Sequence, residues 1–201
     1  EFSETHQGFS SGSRDEDVYR FTPHMYMRHF ARSKGVGREG IDTGRITVIS
    51  WAPAVIRSLA SAVGAGEVEQ WRGGGHFPLY TGSVGELRVS FTCAGIGAPA
   101  TVVAMEELMA CGVSVFIGLG WAGSLQRTVP LGSVIVPERA VSTEGTSSHY
   151  VDDMSAVRSH PRVTELLAES AGMENLGCVR RVLWSTDAPY REKIEDIERL
   201  S

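Results

Sequence analysis

Three short runs in this chain bring together the groups best suited to hold a small ligand. They are Ser50-Trp51-Ala52-Pro53, Gly118-Leu119-Gly120-Trp121-Ala122-Gly123 and Ser185-Thr186-Asp187-Ala188-Pro189-Tyr190. Each follows an apolar run of strand character. Glycine at a strand end lets backbone amides approach a ligand closely, although a glycine pair also serves simple turns. Trp121 stands between two glycines, an unusual place for a core residue, and its indole can stack on a flat ligand or plug the site. Asp187 supplies a carboxylate; the competing use is as N-cap of the charged stretch that follows. His149, after Ser147-Ser148 in a polar loop, carries an imidazole able to change charge near neutral pH, though a loop histidine is often only solvated. His24, Arg28 and His29 lie in an aromatic and Met-rich segment, Val18 to Phe30, which also fits packing on the domain or on a neighbouring subunit.

These runs need strands to carry them. Ile46 to Ser50 is β-branched and reads as a buried strand, and Pro53 suits the first turn of a helix over Ala54 to Val63. Leu79 to Val84 and Leu87 to Cys93 flank Gly85-Glu86, a hairpin signal. Pro99 opens a helix with Val102, Val103, Met105, Leu108 and Met109 at helical spacing, which Gly112 ends. Val113 to Leu119, Ser133 to Pro137 with Ala140 to Thr143, and Cys178 to Trp184 read as further strands. Pro161 to Ala171 and Tyr190 to Leu200 read as helices, and Pro23 argues against one continuous helix through Val18 to Phe30. Alternating strands and helices predict a single three-layer α/β domain, its central sheet mixed but mostly parallel and flanked by helices. Ligands of such sheets bind outside the carboxyl ends of the strands. The domain is expected over residues 17–201, after a mobile polar tail over residues 1–16.

The chain has 201 residues, 42% hydrophobic and 21% charged, which is enough to bury a core without disulfides. A formal net charge of -5 speaks against a nucleic-acid partner. No apolar run reaches membrane-spanning length. Cys93, Cys111 and Cys178 match no metal-ligand spacing and read as buried thiols in a reducing, cytoplasmic compartment. No metal and no cofactor is expected.

The order from Cys93 onward carries a resemblance. A strand is followed by Gly95-Ile96-Gly97-x-Pro99, a helix with Glu106-Glu107-Leu108, Cys111-Gly112-Val113-x-x-Phe116-Ile117, the glycine loop, and Leu131-Gly132-Ser133-Val134-Ile135-Val136. This pattern resembles the nucleoside phosphorylase superfamily, which includes the uridine and purine nucleoside phosphorylases and related nucleosidases. Ser185 to Glu192 is similar to the family's base-pocket segment, and Pro23-His24 to its amino-terminal Pro-His. The resemblance implies cleavage of an N-glycosidic bond in a nucleoside-like ligand. It implies that Gly120, Trp121, Ala122 and Gly123 line the sugar and nucleophile side. Ser185, Thr186, Asp187 and Tyr190 would line the base, with His149 nearby and Asp187 as the catalytic candidate. Family members assemble as dimers or larger rings, so a homo-oligomer is implied, with His24 reaching the sugar of a neighbouring subunit.

The departures from the pattern are specific. Trp51-Ala52-Pro53 replaces the family's Gly-Asp-Pro, and Val55, Gly118 and Gly75 stand where phosphate-binding arginines would fall. Trp121 replaces a threonine that contacts phosphate and sugar. Arg57, Arg72 or Arg88 would restore phosphate binding only in a different register. A dianion without cationic partners is costly to desolvate, which favours water over phosphate as nucleophile. The family fold also continues beyond the segment matching Leu200, so the resemblance implies that part of the site lies outside this sequence or on a second chain. A non-catalytic binding or scaffold protein, and one subunit of a hetero-oligomeric enzyme, stay open beside the enzyme reading.

Overall fold

The computed structural model describes residues 18–37, 40–71, 77–153 and 157–201. The tail expected over residues 1–16, the glycine loop 72–76 with the Gly75 position, and Arg72 therefore lie outside the described residues. The chain divides into two compact units, Glu1–Gly120 and Trp121–Ser201.

The first unit is built on a five-stranded sheet of order β2-β3-β4-β1-β5. Its strands are β1 (Ile46–Ser50), β2 (Gly66–Glu67), β3 (Leu79–Val84), β4 (Leu87–Cys93) and β5 (Val115–Leu119). Its helices are α1 (Pro23–Ser33), α2 (Pro53–Ala62) and α3 (Ala98–Ala110). Strand β1 runs parallel to both β4 and β5, while β3 is antiparallel to β2 and β4. The sheet is thus mixed, as expected.

Side chains alternate across β1, which sorts its residues between two cores. Ile49 joins Met27 and Phe30 of α1 and Leu108 of α3 on one face. Ile46 and Val48 join Ile56 and Ala60 of α2 on the other. Helices therefore cover both faces, and the strand between them is apolar on both. Thr47 and Ser90 are fully buried, and their hydroxyls bond each other at 2.6 Å across β1 and β4. That pairing satisfies two polar groups that the interior would otherwise penalise.

The turns follow the sequence signals. The β3–β4 hairpin closes over Gly85-Glu86 with Gly85 at φ 59°, a value glycine adopts without a Cβ clash. Pro23 does not interrupt a helix but begins one: it fills the first turn of α1, and Thr22 accepts the Met25 amide at 3.2 Å as N-cap.

The second unit holds β6 (Val134–Thr143) and β7 (Cys178–Thr186), a parallel pair. Helix α4 (Pro161–Met173) packs on both strands, and α5 (Ile194–Leu200) ends the chain. The two expected segments around Glu138-Arg139 form one strand, with a register shift between Pro137 and Arg139. Pro137 has no N–H to give the ladder, which suits an irregularity there. The last helix begins at Ile194 with Lys193 as N-cap, not at Tyr190. Asp187 therefore does not cap it. Among the described residues no helix is long and apolar enough to cross a membrane.

Candidate functional site

In the first unit the carboxyl ends of three adjacent strands are level. Ser50 pairs with Cys93 on one side and Leu119 on the other. The Ser50 carbonyl accepts the Ala94 amide at 3.1 Å, and its hydroxyl accepts the Ala52 amide at 3.3 Å, turning the chain into α2. This turn carries the Trp51 side chain, which is 39% exposed.

The Trp51 indole lies against the glycines at the end of β5. A β-carbon built on Gly120 would sit 3.0 Å from Trp51 Cε3, and one on Gly118 would sit 3.6 Å from Cη2. Neither glycine has a positive φ. Space for the indole, rather than backbone conformation, is what glycine provides at Gly120. The ring is also pinned at its edge: Nε1 donates to Thr101 Oγ1 at 2.9 Å. The Thr101 hydroxyl in turn donates to the Gly97 carbonyl at 3.0 Å, closing the first turn of α3. The sequence marked Trp51 as part of a strand end and as a departure from the family's Gly-Asp-Pro, but not its contact with the glycines of β5, and did not mark Thr101. The signal was available in the pairing of an indole with a Gly-x-Gly on the neighbouring strand.

Beside this end of β4 is a cavity of about 440 Å³ lined by Trp71, Phe77, Cys93, Val103 and the largely buried Glu107. Burial pushes the Cys93 thiol pKa up, partly offset by the Arg57 charge. Glu107, within Glu106-Glu107-Leu108, is the one carboxylate in that lining. Of the arginines that could have restored an anion site, Arg57 lies in α2 close enough to the end of β4 for its charge to act on Cys93. Arg88 lies near the start of β4, the opposite end from Cys93, and is ion-paired with Asp42. The Arg88 hydrogen bond, opposed by burial, holds the Asp42 carboxyl below its usual range. His24 occupies the first turn of α1, half-buried.

In the second unit, the carboxyl ends of β6 and β7 are level at Thr143 and Thr186. Trp184 Nε1 donates to Thr143 Oγ1 at 2.9 Å, and the Thr143 hydroxyl donates to the Ser185 carbonyl at 3.0 Å. The loop that follows β6 is held by two carboxylates. Asp187 Oδ2 accepts the Gly145 amide at 3.0 Å. Glu144 accepts the Thr146 amide at 2.6 Å, the Ser147 amide at 3.1 Å and the Ser142 hydroxyl. Burial raises the Glu144 pKa, but the bonds from Ser142, Ser147 and the two amides outweigh it and bring the value down to about 2.

The structure thus joins two of the segments singled out from sequence. Asp187, beside Ser185 and Thr186, is tied to the loop whose short 3-10 turn, Ser147–His149, carries the exposed His149. Trp121, Ala122 and Gly123 are exposed, Trp121 at 77%, and Tyr190 is almost fully exposed at 98%. Glu144 was missed in the sequence; its signal was a glutamate shortly before Thr146-Ser147-Ser148, where amides at the start of a turn need an acceptor.

Comparison with known proteins supplies the context. Residues 45–201 match the family model of the phosphorylase superfamily. The uridine phosphorylase of Thermococcus kodakarensis is 39% identical over 101 residues, 50% of this chain and 36% of that protein. The guanosine phosphorylase of Halorubrum lacusprofundi is 28% identical over 159 residues, 78% of this chain and 64% of that protein. Among solved structures, purine nucleoside phosphorylase from Toxoplasma gondii in complex with immucillin-H aligns with a TM-score of 0.70. That alignment covers 80% of this chain and 65% of the other at 24% identity, a likeness of fold. The chain spans between 36% and 64% of the length of the curated relatives just named.

Proposed function

The chain belongs to the phosphorylase superfamily, and from that premise we propose that it acts on a nucleoside, cleaving the N-glycosidic bond with inorganic phosphate as nucleophile. The observation that carries the reading is the family match over residues 45–201. The expectation of water as nucleophile gives way here. It rested on missing arginines and on the indoles Trp51 and Trp121, whereas the uridine and guanosine phosphorylases among its relatives are named for phosphate-dependent enzymes.

In this reading a phosphate oxygen bonds to the anomeric carbon as the carbon–nitrogen bond breaks. The electron pair leaves on the base, which takes up a proton, and the products are a free base and a sugar 1-phosphate. Gly120, Trp121, Ala122 and Gly123 line the sugar and nucleophile side. Ser185, Thr186, Asp187 and Tyr190 face the base, with Asp187 polarising it and His149 at the margin. Trp121 and Tyr190 are exposed, which leaves both side chains accessible to a ligand. A homo-oligomer in which His24 serves a neighbouring subunit completes the proposal, along with a cytoplasmic location suited to three free cysteines. No metal or cofactor enters the chemistry.

The test is base release from uridine, guanosine, inosine and adenosine, with and without phosphate. Phosphate-dependent release of base together with sugar 1-phosphate is expected. Release that ignores phosphate would return the nucleophile to water. Binding of nucleoside without release in either condition would identify a binding protein or one that requires a second chain.

A further inference from the structure

We propose that Trp51 is a specificity-determining residue that restricts access of the anionic nucleophile to the end of β5, an inference that rests on the phosphorolytic reading above. Three observations converge on it. The indole covers Gly120 at a distance that leaves no room for even a methyl group without displacement. Its edge is fixed by the 2.9 Å hydrogen bond to Thr101, whose own hydroxyl is anchored on the Gly97 carbonyl. Its remaining surface is open at the level of the strand ends, where ligands of parallel sheets bind.

The chemical consequence follows from what the ring replaces. Glycine at a strand end admits an oxyanion to close range of backbone amides. Here that approach is filled by a neutral, apolar ring that cannot donate to an anion from its face. The side chain that holds it in place is a threonine hydroxyl rather than a charge. An anion must either displace the ring or bind farther from the β5 backbone, so phosphate affinity is kept low. Trp51 thus acts on one of the two substrates of the reaction, lowering affinity for phosphate.

Trp51→Ala removes the ring, and Thr101→Val removes only its anchor while preserving the helix. Binding of inorganic phosphate alone is measured by titration calorimetry or phosphorus NMR, with circular dichroism melts confirming that each variant is folded. Trp51→Ala is expected to bind phosphate about tenfold more tightly, the effect of one recovered charge-assisted hydrogen bond, with Thr101→Val shifted the same way by less. In the steady state, the KM for phosphate falls. Unchanged phosphate affinity in a folded Trp51→Ala protein overturns the proposal. Should that variant fail to fold, unchanged affinity in Thr101→Val overturns it. Tighter phosphate binding in a protein that cleaves no nucleoside would sink the functional reading while leaving the role of Trp51 intact.

Discussion

Replacing Glu144 by glutamine isolates one charge in the second unit. The glutamine keeps the shape and an amide oxygen able to accept the Thr146 and Ser147 amides, but it cannot be a carboxylate. In the native protein the pKa of Glu144 lies at about 2 against an ordinary 4.5. At about 1.36 kcal/mol per unit the full shift corresponds to roughly 3 kcal/mol. The side chain is only partly buried, so solvent screening reduces this to about 1 kcal/mol. The sign follows from linkage: a depressed carboxylate pKa stabilises the fold above the unfolded value of 4.5 and the contribution disappears as pH falls toward 2. Hydrogen exchange at the Gly145, Thr146 and Ser147 amides reads the loop directly. At pH 6 to 7 those amides should exchange about fivefold faster in Glu144→Gln than in the wild type. The ratio should shrink toward one as pH drops from about 5 to about 2. A ratio that stays constant across that range would refute the electrostatic account, because a purely steric effect of glutamine has no reason to follow this titration. A ratio of one throughout would show that the carboxylate does not hold the loop.

Two further substitutions test packing. Gly120→Ala should destabilise the first unit by about 1–2 kcal/mol, because its new methyl group meets Trp51 Cε3 at 3.0 Å. Gly118→Ala, whose methyl group meets the ring at 3.6 Å, should cost less, and urea unfolding of the pair measures the difference. Gly44 and Gly85 both have positive φ, but a β-carbon at Gly44 would lie 2.5 Å from the Arg88 carbonyl oxygen, while Gly85 faces open space. Gly85→Ala should therefore lose only the left-handed backbone term of about 1–2 kcal/mol, and Gly44→Ala should lose more or fail to fold, as seen in thermal melts.

Much of the first unit could be read from its residues because each local signal agreed with its neighbours. The limits of β3 and β4 followed from the two residues between them, and α2 and α3 from prolines in their first turns. The α/β class followed from the alternation. The site was less legible. Gly118-x-Gly120 reads in sequence as room for a ligand, whereas the space at Gly120 belongs to a tryptophan 69 positions earlier in the chain, a contact set by strand pairing rather than local chemistry. Asp187 showed the same difficulty. Its type and position matched an N-cap, but the helix starts at Ile194 and the carboxylate instead turns back to Gly145. Glu144 was missed because its role depends on donors from the end of β6 and from the turn after it, which only the fold brings together. Pro23 argued against one continuous helix through Val18 to Phe30, and the helix indeed starts at Pro23; what the sequence did not show is that Thr22 caps it.

The placement of β1 between β4 and β5 also bears on how the sheet assembles. The β3–β4 hairpin closes over two residues, an event of microseconds in general. The Thr47 and Ser90 hydroxyls that meet across β1 and β4 are 43 residues apart, and the link from Arg45 to Ser114 at the start of β5 spans 69. Each such closure spends chain entropy before any contact repays it. Local closure therefore favours the hairpin as the first element to form, with β1 and β5 adding to its edge. The contact between Trp51 and Gly120 exists only once β5 is paired with β1, so it marks the completion of that edge of the sheet.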